Sequence, residues 1–227
     1  MSPHRDVAII AGLLHLFGTL AGLLTVSPSV DSPDYLIRTA GGRREVMRAA
    51  LFQFLMGAAY VAVPIVLYPV LRTHGEGLAL GFLGFRIIAG AFVFVGVIIL
   101  LVLLTLSDDY VKSGTPDASH FQTLGALLRT ARDLVNHVAM ILAVSLGGLS
   151  FYSLLFRTDL VPRWLSGWGL AGCALAIVAS LLLAYGRIGV MTRAYLALVV
   201  PLAVQELVLA LWLIVSGFNL AALDTKP

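Results

Sequence analysis

Five polar residues fall within nine positions of an otherwise apolar part of the chain: Arg129, Arg132, Asp133, Asn136 and His137. Steps of three, one, three and one place them on one helical face. Val138 to Phe156 then runs largely apolar, long enough to complete a bilayer crossing, which takes roughly 20 residues at about 1.5 Å each. Such a stripe offers three chemistries. Asp133 and His137 stand one turn apart, the spacing of an orienting carboxylate and an acid–base imidazole. No serine or cysteine nucleophile motif accompanies them, since Ser145 and Ser150 lie deeper in apolar surroundings. The arginines and Asn136 are donors suited to an anionic or zwitterionic group such as a lipid head group. Alternatively Asp133 pairs with Arg132, Arg129 or Arg48, and the stripe only closes the helix ends.

A second helix carries Arg48 and Gln53 near its start. If the N-terminus is inside, both stripes enter from the outer face and lie within roughly 10 Å of it at the helical rise. The ligand-binding set expected on this reading is Arg48, Gln53, Arg132, Asp133, Asn136 and His137. A loop bearing Arg38, Arg43 and Arg44 sits above them, which implies a vestibule with excess positive charge.

A third group lies nearer mid-span. His15, Arg86 and Glu206 come from three separate segments, and their depths agree within roughly 5 Å when each segment is treated as a straight helix. A lone mid-membrane carboxylate is costly, so an Arg86 or His15 partner is expected for Glu206. This network reads either as an ion pair that fixes two helices or as a proton- or substrate-linked carboxylate, with Pro201 a hinge beside it. Haem ligation by His15 and His137 is excluded by a depth difference of roughly 9 Å. No zinc-ligand spacing occurs. Neither a metal nor a cofactor is expected.

The composition says what positions these residues. Of 227 residues 59% are hydrophobic and 12% charged, half the roughly 25% of a soluble domain. The net charge of +3 comes from arginines gathered near segment ends, which suits interface anchoring and excludes a nucleic-acid partner. The lone Cys173 permits no intrachain disulfide.

Six apolar segments stand out, at about 7–26, 46–71, 79–106, 131–156, 163–186 and 191–217. Continuous runs of this length satisfy their backbone hydrogen bonds in lipid only as helices. The fold expected is all-α: a polytopic integral membrane protein, one six-transmembrane-helix bundle over 1–227. The first segment exceeds a signal-peptide core and lacks a small-residue cleavage site, so it reads as a retained span. Ser27–Glu45 and Ser107–His120 are the long connections and share one face; Thr73–Leu78 and Thr158–Pro162 are tight ones on the other. With the N-terminus inside, Arg5, Arg72, Arg157, Arg163 and Lys226 lie inside against seven basic residues outside, the reverse of the positive-inside bias. A faint echo relates Tyr68–Thr73 and Gly84 to Tyr152–Thr158 and Gly167, as in tandem transporter repeats. Glycines of the middle helices, Gly84 among them, suit close helix approach.

The loop Arg157-Thr-Asp-Leu-Val-Pro-Arg-Trp-Leu165 resembles the connecting turn of an uncharacterised bacterial six-helix family, domain of unknown function 4386. Gly84-Phe-Arg86-Ile, Ala131-Arg-Asp133, Gln205-Glu206-Leu and Trp212-Leu-Ile extend the similarity across most of the chain. The resemblance implies six spans, an inside N-terminus and no assigned activity. The Ser2-Pro-His-Arg-Asp6 lead departs from the family's more basic one, which leaves orientation open.

The reading that joins these features is an inner (plasma) membrane protein among membrane lipids. It binds, or also transports, a small amphiphilic or lipid-like ligand in an outer-facing polar vestibule. An intramembrane enzyme using Asp133 and His137, and an accessory subunit of another membrane protein, are its alternatives. The oligomeric state is not legible.

Overall fold

A computed structural model describes residues 3–114, 119–219, 221 and 223; Lys226, counted above for orientation, lies outside the described residues. The described chain is helical with no strand. Helix α1 spans Pro3–Leu23, and two short helices follow, α2 over Pro28–Asp31 and α3 over Tyr35–Gly41. Helix α4 runs Arg43–Ser113 and α5 Ser119–Leu134. A π-turn, Val135–Ala139, leads into α6, Met140–Thr158. Helices α7, Arg163–Ala184, and α8, Arg193–Val215, complete the bundle.

Five helical stretches are long and apolar enough to cross a membrane. The longest, the 71-residue α4, leaves helical geometry at Gly75. Contacts on either side show that it doubles back there. Arg43 meets Asp108, Gln53 lies beside Gly96, Gly57 faces Val93, and Val61 faces Gly90. The midpoint of every pair falls within half a residue of Gly75. Residues 43–74 and 76–113 are therefore antiparallel arms of one hairpin, and the bundle has six helical passes. Gly57 and Gly90 let the arms approach, because a Cβ on either would meet the opposite arm at 3.0 Å or less.

The passes close on themselves. Helix α4 packs on α1 and α6, α6 on α7, α7 on α8, and α8 on α1. At the N-terminal end, which carries the tight turns, Arg5 Nη2 donates to the carbonyls of Ile214 and Val215 at 2.8 and 2.9 Å. The main core lies toward this end, around Leu67, Leu71, Phe82, Phe151, Tyr152 and Leu155.

The opposite end differs from the expected pair of long loops. The Ser27–Glu45 connection folds into α2 and α3, with Pro28 in the first turn of α2. Glu45 Oε1 accepts from Ser27 Oγ at 2.8 Å, Ser29 Oγ at 3.0 Å and Ser29 N at 3.2 Å. These bonds tie the short helix to the start of α4. Tyr35 and Leu36 pack on Val97, Leu100 and Leu104 beneath. Helix α4 continues to Ser113, and α5 begins at Ser119, twelve residues before the apolar run, so the described residues on both sides of this connection are helical. Polar helix is invisible to an apolar-length criterion. The result is a folded cap on this end of the bundle.

Candidate functional site

Beneath the cap lies a cavity of about 410 Å³. Its wall draws on four parts of the chain: Thr25, Val26 and Asp31 from the cap, Gln53 and Met56 from α4, Arg132 to Met140 around the π-turn, and Val190 and Met191 from the α7–α8 loop. Five residues of the expected set, Gln53, Arg132, Asp133, Asn136 and His137, line it together. Arg48 does not: it is exposed on the outer side of α4, near Glu45.

The π-turn shapes this wall. A π-turn bonds i to i+5 instead of i+4, so it widens the helix and offsets the faces before and after it. Arg129, in the regular helix before the turn, is not part of the cavity wall. Its guanidinium sits 4.6 Å from the centre of the Tyr35 ring, in the cap. Burial pushes the Tyr35 phenol up against the opposing pull of Arg129, and the hydroxyl donates to Gln122 O at 3.0 Å.

Asp133 and His137 straddle the start of the same turn, and among the described residues no hydrogen bond joins them. His137 Nδ1 instead meets the Tyr195 hydroxyl of α8 at 2.8 Å, and its backbone carbonyl accepts from Ser180 Oγ of α7 at 3.1 Å. Imidazole and backbone are thus anchored to two other helices. The carboxylate that an acid–base pair would use as orienter is not bonded to it.

At the back of the cavity Gln53 Nε2 donates to Asn136 Oδ1 at 3.1 Å, while Gln53 Oε1, on a residue 2% exposed, has no partner. Toward the mouth Arg132 Nη1 lies 3.7 Å from Asp31 Oδ1, and Arg132 Nε is buried without a partner. Asp133 makes no hydrogen bond and no ion pair within 4 Å among the described residues, and lies within the field of Arg132 and Arg129.

The charge balance corrects the sequence reading. One guanidinium, Arg132, faces two carboxylates, Asp31 and Asp133, so the wall is formally −1 with His137 neutral. The arginines expected above it are turned elsewhere: Arg43 pairs with Asp108 at 2.6 Å, and Arg38, Arg44 and Arg48 are exposed outside the lining.

Deeper in the bundle His15, Arg86 and Glu206 come together from α1, α4 and α8. Arg86 Nη2 donates to Glu206 Oε1 at 2.6 Å, and His15 Nε2 lies 3.6 Å from the same oxygen. Arg86 is 2% exposed and its guanidinium rests between the Tyr60 and Phe82 rings at 5.3 and 5.6 Å. Helix α8 remains one helix through Pro201. Next to the trio is a void of only about 10 Å³, room for about one water. The trio ties α1, α4 and α8 together.

Sequence reasoning missed Asp31, Tyr195, Met56, Met140 and Met191. Asp31 and Met191 reach the site through loop folds, and the others look like ordinary apolar-helix residues. Met191 has one local signal in the structure, a left-handed φ of 60°.

An all-α bundle of helices this long and apolar, with ionisable groups turned inward, is a membrane protein. The chain belongs to the family described as domain of unknown function (DUF4386), which matches residues 10–217. No curated protein and no solved structure matches it.

Proposed function

We propose that this protein binds a small amphiphilic or lipid-like molecule in the cavity under the cap, and that transport, if it occurs, starts from there. The observation that carries the reading is the composition of one wall. Gln53, Arg132, Asp133 and Asn136 converge on the same 410 Å³ space as Met56, Met140 and Met191. Ligand sites of about 300–1,000 Å³ combine a few placed polar groups with an apolar lining in this way. Methionine suits a variable apolar tail because it is unbranched and polarisable. In the orientation with a cytoplasmic N-terminus, the cavity opens to the outside of the inner membrane.

The test is native mass spectrometry after gentle extraction. The wild-type chain should retain a bound small molecule. Val190→Trp, which places a bulky ring at the cavity mouth without touching the core, should lose it. An unliganded wild-type spectrum, or equal retention by both proteins, contradicts the reading.

A further inference from the structure

The charge and hydrogen-bond deficits of the cavity wall specify more than its volume does. We propose that the polar end it receives is a protonated amine bearing N–H bonds, so that the ligand is a monocationic amphiphile. This rests on the reading of the cavity as a ligand site and adds the sign and hydrogen-bonding character of the ligand.

Three features converge. First, the wall holds one guanidinium against two carboxylates, and a single positive charge brings the formal balance to zero. An anion would add to the excess. Second, Arg132 lies 3.7 Å from Asp31, whereas Asp133, within the field of Arg132 and Arg129, makes no hydrogen bond and no ion pair within 4 Å among the described residues. Its oxygens are therefore open to a donor. Third, Gln53 Oε1 is a buried acceptor with no donor, on a side chain whose amide nitrogen is held by Asn136. Leaving a hydrogen bond unmade on a buried group is costly, and the several N–H bonds of one ammonium can serve an amide oxygen and a carboxylate together. A quaternary ammonium carries the charge but has no N–H to give. Arg132 Nε is the opposing orphan, a donor; one neutral oxygen, from the ligand or a water, meets it without a second negative charge. The alkyl part then lies along Met56, Met140 and Met191.

The experiment is calorimetric titration of the purified full chain, in a neutral detergent at pH 7, with four probes of equal tail length: octylamine, octyltrimethylammonium, octyl phosphate and octanol. Octylamine should bind at least tenfold tighter than each of the others. Asp133→Asn should weaken it about tenfold, and Arg132→Gln should tighten it or leave it unchanged. Thermal unfolding of each variant verifies that it is folded, and Asp133→Glu, which keeps the charge, should retain most of the affinity. If octyl phosphate binds more tightly than octylamine, the cavity reading stands and the amine inference falls. Equal binding of octyltrimethylammonium removes the N–H requirement and overturns the proposal as stated, as does full octylamine affinity in Asp133→Asn. If none of the four binds folded wild-type protein, the amine inference falls together with the cavity reading beneath it.

Discussion

Gln53 Nε2 donates to Asn136 Oδ1 at 3.1 Å directly over the backbone of Gly96. The bond joins the first arm of α4 to the π-turn, and it forms only because residue 96 has no side chain. A Cβ there would come within 2.7 Å of Gln53 Nε2 and closer still to Asn136 Oδ1. The back wall of the cavity is thus set by the second arm of α4, which contributes no side chain to it.

Gly96→Ala tests this. Overpacking of a filled site costs about 1–3 kcal/mol, and here the added methyl also splits the amide pair. The variant should unfold at lower temperature in detergent and lose ligand retention. Gly84 is the control. Expected from the sequence to serve close packing, it has nothing within 4 Å of the place an alanine Cβ would take, so Gly84→Ala should be neutral or slightly stabilising, by about 0.5–1 kcal/mol for a helical glycine. Equal loss in both variants would sink the argument.

The Arg86–Glu206 pair predicts an asymmetry. Removing one partner of a buried pair costs about 3–5 kcal/mol because the other charge is stranded. The two strandings differ. Glu206 without Arg86 still has His15 at 3.6 Å, and a carboxylate can take up a proton. Arg86 without Glu206 is 2% exposed between two aromatic rings, and a guanidinium cannot discharge. Glu206→Met should therefore destabilise more than Arg86→Met, and the double variant less than the two singles combined. A double-mutant cycle on unfolding midpoints measures both. Additive effects would mean the pair is not coupled.

The passes and the mid-span trio were legible because each depends on a local or one-dimensional property. Apolar length marks a crossing helix, and depth along a straight helix brings His15, Arg86 and Glu206 to one level. The turn at Gly75 was legible as a tight connection. What depends on side-chain direction was not. The steps from Arg129 to His137 assume a uniform helix, and the π-turn at Val135–Ala139 breaks that assumption; the partners themselves, Tyr35 of the cap for Arg129 and Tyr195 of α8 for His137, are not given by spacing along one helix. The sign of the cavity was misread for a similar reason. Arg38, Arg43, Arg44 and Arg48 are near it in sequence, but the folding of Pro28–Asp31 onto Glu45 presents Asp31 to the cavity instead.

Met191 lies at the cavity mouth with φ at 60°, between Gly189 and Thr192. Thr192 Oγ1 accepts from Tyr195 N at 3.3 Å and so caps α8, which fixes the chain on one side of Met191. A non-glycine residue in the left-handed region costs about 1–2 kcal/mol. Met191→Gly should raise stability by about 1 kcal/mol and weaken retention of an amphiphile by removing one of the methionines on the wall. Thermal unfolding and native mass spectrometry read the two effects separately. Stability gained with binding intact would show that the strained backbone serves the loop and the side chain does not serve the cavity.

Orientation decides from which side the cavity is reached, and the chain carries its own silent background for measuring it. Its single cysteine, Cys173, is 1% exposed, so thiol reagents report almost entirely on a cysteine introduced at the surface. Lys112 lies on the cap end and Glu76 beside the Gly75 turn at the other, and both side chains are exposed. In intact cells an impermeant maleimide should label Lys112→Cys and spare Glu76→Cys, which it should reach only after the membrane is opened. The basic residues argue the other way by count; of those at the cap end Arg43 has a second use, paired with Asp108, while Arg38, Arg44 and Arg48 are exposed. Labelling of Glu76→Cys alone in intact cells would invert the orientation, and the ligand would then enter from the cytoplasm.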